Sequence, residues 1–322
     1  MRMTAPVNRS SYANRSNRMS SLTRRSFLLS VGGAAALTAC GGAGPGKSGG
    51  TPPSLGISAI PDQNPELLNR LYPMVAARFA KATGLTVSYK PVTDYTAVVR
   101  AFEIGDIHLA WMGGLTGVQA RSRVPGSTAI AQRDIDADFH SLFIANKSAG
   151  ISPFTDVSGL SALAGHTLTF GSETSTSGRL MPQYFLMKGG LAQSALKGTP
   201  GFSGSHDATI EAVRTDSFEV GAVNEQVWTK TVAAAKVDLS SVQVLWRTPG
   251  YHDYHWLARP DLDTTFGAGT QQKVTDLLLG LDAAKAEDKA VLDLFGAKKF
   301  ITTQNSNYDQ IEAVAKAQGL LG

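Results

Sequence analysis

The stretch from Gly171 to Phe185, GSETSTSGRLMPQYF, follows the apolar run HTLTF and leads into a helical pattern. Ser175, Thr176 and Ser177 therefore set three hydroxyls where the first N–H groups of a helix lack intrahelical partners. The helix dipole adds partial positive charge at the same point, so the chemistry on offer is the binding of an anion. A plain Ser/Thr N-cap accounts for this loop equally well when it is read alone. A second candidate, GGAGPGKS from Gly41 to Ser48, fits the phosphate-cradling pattern G-x-x-x-x-G-K-[ST] residue for residue. That chemistry needs a strand entering the loop and a helix leaving it. Here VGGAAALTAC precedes and GGTPPSL follows, a composition that suits a flexible linker. No G-x-S-x-G elbow is present, and His206 and Asp207, as sequence neighbours on a helix, point to different faces. His252, Asp253 and His255 supply three metal-ligand types in four residues, but a strand would send the two histidines to opposite sides. Binding without catalysis, with no metal and no cofactor, is the expectation.

The elements around these residues alternate. LGISAIP and LTVSYKPV read as strands on either side of a helix, PELLNRLYPMVAARFAKATG. DYTAVVRAFEIGD reads as a helix capped by Asp94, and IHLAWMGG, TAIAQRD and HSLFIANK continue as strands, with GLTGVQARSR helical between the first two. A second series runs HTLTFGS, STSGRLMPQYFLMKGG, HDATIEAVRTD, FEVGAVN, EQVWTKTVAAAK and VQVLWRT, and the end of the chain is helical. Such alternation predicts an α/β protein with mainly parallel sheets. A break near 147–152 predicts two lobes.

The beginning of the chain carries an address. Six of its 30 basic residues lie within residues 1–39, which hold no acidic residue. The apolar run SFLLSVGGAAALTA is shorter than the ~20 residues that span a bilayer, and it reads as the core of an export signal. Arg24 and Arg25 in TRRSFLL match a twin-arginine signal. Leu37-Thr38-Ala39-Cys40 resembles the lipobox of bacterial lipoproteins, and Cys40 is the only cysteine. Either Met1 or Met19 serves as the start. Removal of residues 1–39 leaves 24 basic residues against 26 acidic, a net charge of −2, so the basic balance of the whole chain (+4) argues for no nucleic-acid partner. The expected organisation is an export signal over 1–39, a lipidated Cys40 with a flexible tether over 40–53, lobe 1 over 54–147 plus 254–322, and lobe 2 over 148–253.

Taken together, VTDYTAVV, AWMGG, SETSTSGRLMP, SGSHDATIEAV, GAVNEQVW and WRTPGYHDYHW resemble the phosphonate/phosphite-type periplasmic substrate-binding proteins of ABC transporters, including a subgroup labelled selenate-binding. The resemblance runs from about Ile57 to Leu321. It implies the two-lobed type II periplasmic binding protein fold, with two crossover strands and a ligand cleft that closes on a small oxyanion. It also implies a monomer, tethered at Cys40 to the outer face of the cell membrane, that delivers its ligand to a permease. Carried over by motif, Ser175, Thr176 and Ser177 bind the anion's oxygens, Tyr95 donates its phenol from the opposite lobe and His206 donates an imidazole N–H. Asp253 accepts a proton or an amine from the ligand. Glu225 stands near the position of an amine-holding acid, and Trp111 takes the place of a second tyrosine. Trp donates one N–H and accepts nothing.

An ionised Asp253 aimed at an anion repels it unless the ligand brings a hydrogen to share. Phosphate-like groups, with a second pKa of about 6, do so near neutral pH, whereas selenate does not. Asp253 could pair instead with His252, His255 or Arg247. A phosphonate, phosphite or phosphate-like ligand is therefore the first expectation and a selenate-like anion the alternative, with a phosphonate-processing enzyme ranked below both.

Overall fold

The structure is a computed structural model that describes residues 53–321. The GGAGPGKS match, the Arg24–Arg25 pair, the lipobox at Cys40 and nearly all of the tether lie outside the described residues.

In chain order the strands are β1 (Leu55–Ala59), β2 (Val87–Tyr89), β3 (Leu109–Met112), β4 (Thr128–Arg133), β5 (Ser141–Asn146), β6 (Leu168–Phe170), β7 (Gly201–Phe202), β8 (Val220–Asn224), β9 (Val242–Arg247), β10 (His255–Ala258) and β11 (Phe300–Ile301). The helices are α1 (Pro65–Thr83), α2 (Tyr95–Glu103), α3 (Gly114–Arg123), α4 (Met181–Lys188), α5 (His206–Arg214), α6 (Glu225–Ala233), α7 (Leu262–Phe266), α8 (Thr270–Leu279), α9 (Ala286–Phe295) and α10 (Asp309–Ala317).

The strands form two sheets, ordered β11-β4-β10-β3-β1-β2 and β7-β6-β8-β5-β9, each the centre of one lobe. Neither sheet is mainly parallel. β1 pairs in parallel with β2 and β3, and β6 with β7 and β8. β10 instead runs antiparallel between β3 and β4, and β5 antiparallel between β8 and β9. The physical reason is the connectivity: β5 and β10 are the first strands after the chain changes lobes, and each inserts into the interior of its new sheet against the local direction.

The first passage between lobes lies between Arg133 and Ser141, and the second between Arg247 and His255. β5 thus belongs to the second lobe, and the boundary expected between 147 and 148 falls after the crossing. HSLFIANK reads as a strand from its composition, but only its pairing with β8 and β9 assigns it a sheet. The two crossing segments are joined to each other. Phe139 and Tyr251 exchange backbone N–H···O bonds of 2.9 and 3.0 Å.

Local sequence accounts for the elements beside the cleft. Asn64 Oδ1 accepts the Glu66 and Leu67 N–H groups at the start of α1, and Asp94 Oδ1 accepts that of Ala97 at the start of α2. On α1, Leu68, Tyr72, Val75, Ala76 and Phe79 form the buried stripe that the helical period predicts. β3 and β10 bring Trp111 and Trp256 together with Phe295 and Phe300 in an aromatic core. The Arg133 guanidinium lies 5.3 Å from the Trp111 ring centre and 4.8 Å from that of Tyr254.

Candidate functional site

The Ser/Thr loop after β6 begins with Ser175, whose Oγ accepts the Gly178 N–H at 2.9 Å. The next residues, Thr176–Leu180, wind as one π-helical turn that runs directly into α4. The turn is closed by its own backbone, the Leu180 N–H donating to the Ser175 oxygen at 3.0 Å, and π turns are frequent at functional sites. Ser175, Thr176 and Ser177 are all buried. Ser175 is thus both a cap and a wall of the cleft.

The opposite wall comes from the first lobe. Gly113 and the start of α3 face the loop so closely that a Cβ on Gly113 would stand 3.1 Å from Thr176 Oγ1 and 3.2 Å from Asp253 Oδ1. The Leu115 N–H donates to Thr176 Oγ1 at 3.0 Å, and the Gly114 N–H donates to Asp253 Oδ1 at 2.8 Å. The lobes are in contact, and the second crossing segment delivers Asp253 to the line between them. Tyr95, the first residue of α2, is buried beside Ser175. The Ser175 hydroxyl is near enough to favour the Tyr95 phenolate slightly, yet the alignment completes no hydrogen bond.

Among the described residues, three buried polar atoms in this group complete no hydrogen bond: Tyr95 Oη, Ser177 Oγ and Asp253 Oδ2, although Ser177 lies close to the Tyr251 hydroxyl and Asp253 to that of Thr176. Buried groups without partners are uncommon because each loses its water uncompensated. Burial pushes the Tyr95 phenol well above its ordinary range, so it remains a donor. Burial likewise raises Asp253 from 3.8 to about 7, opposed by the Gly114 N–H and the Thr176 hydroxyl. Two donors and a carboxyl that titrates near neutrality are groups that a small oxyanion sharing a proton would need.

His206 opens α5 behind Ser205, whose Oγ caps the helix through the Ala208 N–H. Its Nδ1 accepts the Asn224 N–H at 3.3 Å, which leaves the proton on Nε2, 3.5 Å from Tyr254 Oη. Burial lowers His206 from 6.5 to about 4, so the ring is neutral at physiological pH and donates through Nε2. Its Cε1 comes within 3.1 Å of a Cβ built on Gly178, which puts the ring against the Ser/Thr loop.

The structure therefore brings together Tyr95, Ser175, Thr176, Ser177, His206 and Asp253. The other two expected residues stand apart. Glu225 turns away into a bidentate ion pair with Arg247, Oε1 at 2.7 Å from Nε and Oε2 at 2.9 Å from Nη2, on a partly exposed face. Trp111 is packed in the aromatic core, stacked on Tyr254 at 5.7 Å. The alternative partners of Asp253 are engaged elsewhere: Arg247 by Glu225, His252 by Gln132 Oε1, and His255 by the Asp253 backbone oxygen rather than its carboxyl.

Several residues here escaped the sequence reading. Asp62, just past β1, is buried and raised by burial from 3.8 to about 6, and its backbone oxygen accepts the His206 N–H across the lobes at 3.2 Å. Tyr254 Oη accepts from Asn224 Nδ2 at 3.0 Å, and the Tyr251 hydroxyl meets Ser141 Oγ at 2.6 Å. An acidic residue at the carboxyl end of a strand was the only available signal for Asp62. Nothing local distinguished Tyr251 and Tyr254 from core aromatics. Among the described residues, no cluster of His, Cys, Asp and Glu could hold a metal ion.

A two-lobed α/β chain whose crossing strands meet at a hinge, and whose lobes enclose unpaired donors and an acid, is a solute-binding protein of the periplasmic type. The chain belongs to the family of periplasmic phosphonate substrate-binding proteins of ABC transporters, whose family model matches residues 57–308. It is 42% identical to the probable ABC transporter phosphite binding protein PhnD1 of Prochlorococcus marinus, over 82% of this chain and 90% of that protein. The structure of that PhnD1 in complex with methylphosphonate superposes with a TM-score of 0.81 at 41% identity, covering 83% of this chain and 99% of the other. A binding-protein component of an ABC phosphonate transporter from Pseudomonas aeruginosa shares the fold, with a TM-score of 0.71 at 21% identity over 83% and 87% of the two chains. These relatives are binding components of transporters, not enzymes, and the family works outside the cytoplasm. Among the described residues no helix is long and apolar enough to cross a membrane.

Proposed function

We propose that this chain captures a small phosphorus oxyanion, phosphite or a short alkylphosphonate, by closing its lobes on it and passing it to a membrane permease. Ser175, Thr176 and Ser177 hold the oxygens from one lobe, Tyr95 donates from the other, His206 donates through Nε2, and Asp253 shares one proton with the ligand. The observation that carries this reading is the convergence of Tyr95 Oη, Ser177 Oγ and Asp253 Oδ2, buried between the lobes and completing no hydrogen bond among the described residues. Phosphorus oxyanions keep an exchangeable proton near neutral pH, with a second pKa of about 6, close to that of the buried Asp253 carboxyl. A permanently ionised anion such as selenate would leave Asp253 to supply the proton alone. Glu225, occupied by Arg247, is not free to hold a ligand amine. That supports ligands without one. The relative that binds methylphosphonate points the same way.

Export by the twin-arginine signal and acylation at Cys40 complete the proposal, giving a monomer tethered to the outer face of the cell membrane. A lipid on Cys40 would keep the protein near its permease, since more than one acyl chain anchors stably.

The test is the melting temperature of the full chain with phosphite, methylphosphonate, aminoethylphosphonate, phosphate, sulfate and selenate. A ligand at a hundredfold excess over Kd stabilises the native state by about 2.7 kcal/mol. A large shift with phosphite or methylphosphonate and little with aminoethylphosphonate or selenate is expected. A shift with selenate alone would overturn the proton-sharing role of Asp253, and no shift with any of the six would overturn the oxyanion reading.

A further inference from the structure

Gln226, the second residue of α6 in the second lobe, reaches into the first. Its Nε2 donates to the Phe295 backbone oxygen at 2.6 Å and lies 3.3 Å from that of Gly296, while its Oε1 accepts from Arg133 Nη1. Arg133 also donates to the Phe295 oxygen, at 2.8 Å. Both ends of the amide are therefore satisfied by the opposite lobe. The socket depends on Gly296. A Cβ there would overlap Gln226 Nε2 and stand 2.9 Å from Lys230 Nζ, whose ammonium donates to the Leu294 oxygen at 3.3 Å. Gly296 also ends α9 in the left-handed region, at φ +63°.

Arg133 links this contact to the ligand side. Asp136 holds the guanidinium through Nε and Nη2, each at 2.7 Å, so its position is fixed before the lobes meet. Its planar face lies against Trp111, Phe139 and Tyr254, and Tyr254 Oη stands 3.5 Å from His206 Nε2. Opening of the lobes would withdraw Gln226 and leave one Arg133 Nη1–H to find another partner, while the Phe295 oxygen keeps its bond from Arg133.

We propose that Gln226 and the Gly296 socket form a plug that registers the two lobes in the closed conformation, making Gln226 and Gly296 positioning residues for ligand binding without touching the ligand. In its effect on affinity this rests on the oxyanion reading above. The geometry of the plug does not.

The test is a double-mutant cycle on the full chain with Gly296→Ala, Gln226→Ala and the two combined. Kd for methylphosphonate and ligand-free melting temperature are both measured. Gly296→Ala carries three defects, the strained φ, the overlap with Gln226 and the tight approach to the Lys230 side chain, and shortening Gln226 relieves only the overlap with its own amide. Gly296→Ala is expected to weaken binding about tenfold, in the range of couplings between residues in contact. Gln226→Ala alone should weaken it by less, and the combined variant should lose less than the two single losses added together. The same non-additivity should appear in the ligand-free melts. Strictly additive effects in both readouts, or wild-type affinity in Gly296→Ala, would overturn the plug. If the unmodified chain binds no methylphosphonate, the oxyanion reading fails, and the ligand-free cycle still decides the plug.

Discussion

The backbone N–H of Leu115, in the first turn of α3, donates to Thr176 Oγ1 across the cleft at 3.0 Å. One residue of the second lobe's Ser/Thr loop thus caps a helix of the first. The bond exists only while the lobes are together, so a hydroxyl expected to serve the ligand also serves closure.

Thr176→Val keeps the shape and removes the acceptor. The buried Leu115 N–H then lacks a partner in the closed form, a loss of about 1–3 kcal/mol. Methylphosphonate binding should weaken about tenfold to a hundredfold, and the ligand-free melting temperature should fall in step with the share of closed molecules. Calorimetric titration alongside thermal melts would read both, and unchanged affinity would refute the capping role.

Tyr95 Oη and Ser177 Oγ complete no hydrogen bond among the described residues, so removing either should harm binding without harming the fold. Tyr95→Phe and Ser177→Ala are each expected to lower affinity by about tenfold or more, while the ligand-free melting temperature holds or rises. A fall in stability with unchanged affinity would place these hydroxyls in the scaffold.

Asp253, raised from 3.8 to about 7 by burial, binds its proton more tightly folded than unfolded. Its contribution to stability is complete below pH 3.8 and is lost as pH rises through 7. Asp62, raised to about 6, behaves the same way over a narrower window. His206, lowered to about 4, opposes them, losing stability as pH falls from 6.5 through 4. The difference between wild type and Asp253→Asn isolates one group. Relative to wild type, the variant should gain stability steadily between pH 4 and 7, read from chemical denaturation at fixed temperature. A flat difference would mean that Asp253 is solvated.

Glu225 and Arg247 form an ion pair with both side chains partly exposed. Glu225→Gln should cost about 0.2–1 kcal/mol of stability at low salt and leave methylphosphonate affinity within about twofold of wild type. A tenfold loss of affinity would return Glu225 to the site.

Much of the candidate site was legible because local chemistry wrote it. The SETSTSGR loop sits between a strand and a helix, Asp94 and Ser205 cap their helices in the pattern of their own segments, and His206 follows its cap. Alternating apolar runs gave α/β architecture and the helices by periodicity alone. The sequence did not determine direction within the sheets, because β5 and β10 read like any apolar strand until their neighbours are known. Nor did it determine which carboxylate faces the cleft. Asp253 and Glu225 are both acids beside the crossing segments, and only tertiary packing gives one to Arg247 and leaves the other buried against the Gly114 N–H. Asp62, Tyr254 and the Gln226 plug likewise depend on contacts between residues thirty or more positions apart. Caps and amphipathic faces are set by neighbours within a turn or two of the chain. Desolvation, ion pairing and lobe register are set by whatever the fold brings alongside, and no local pattern records them.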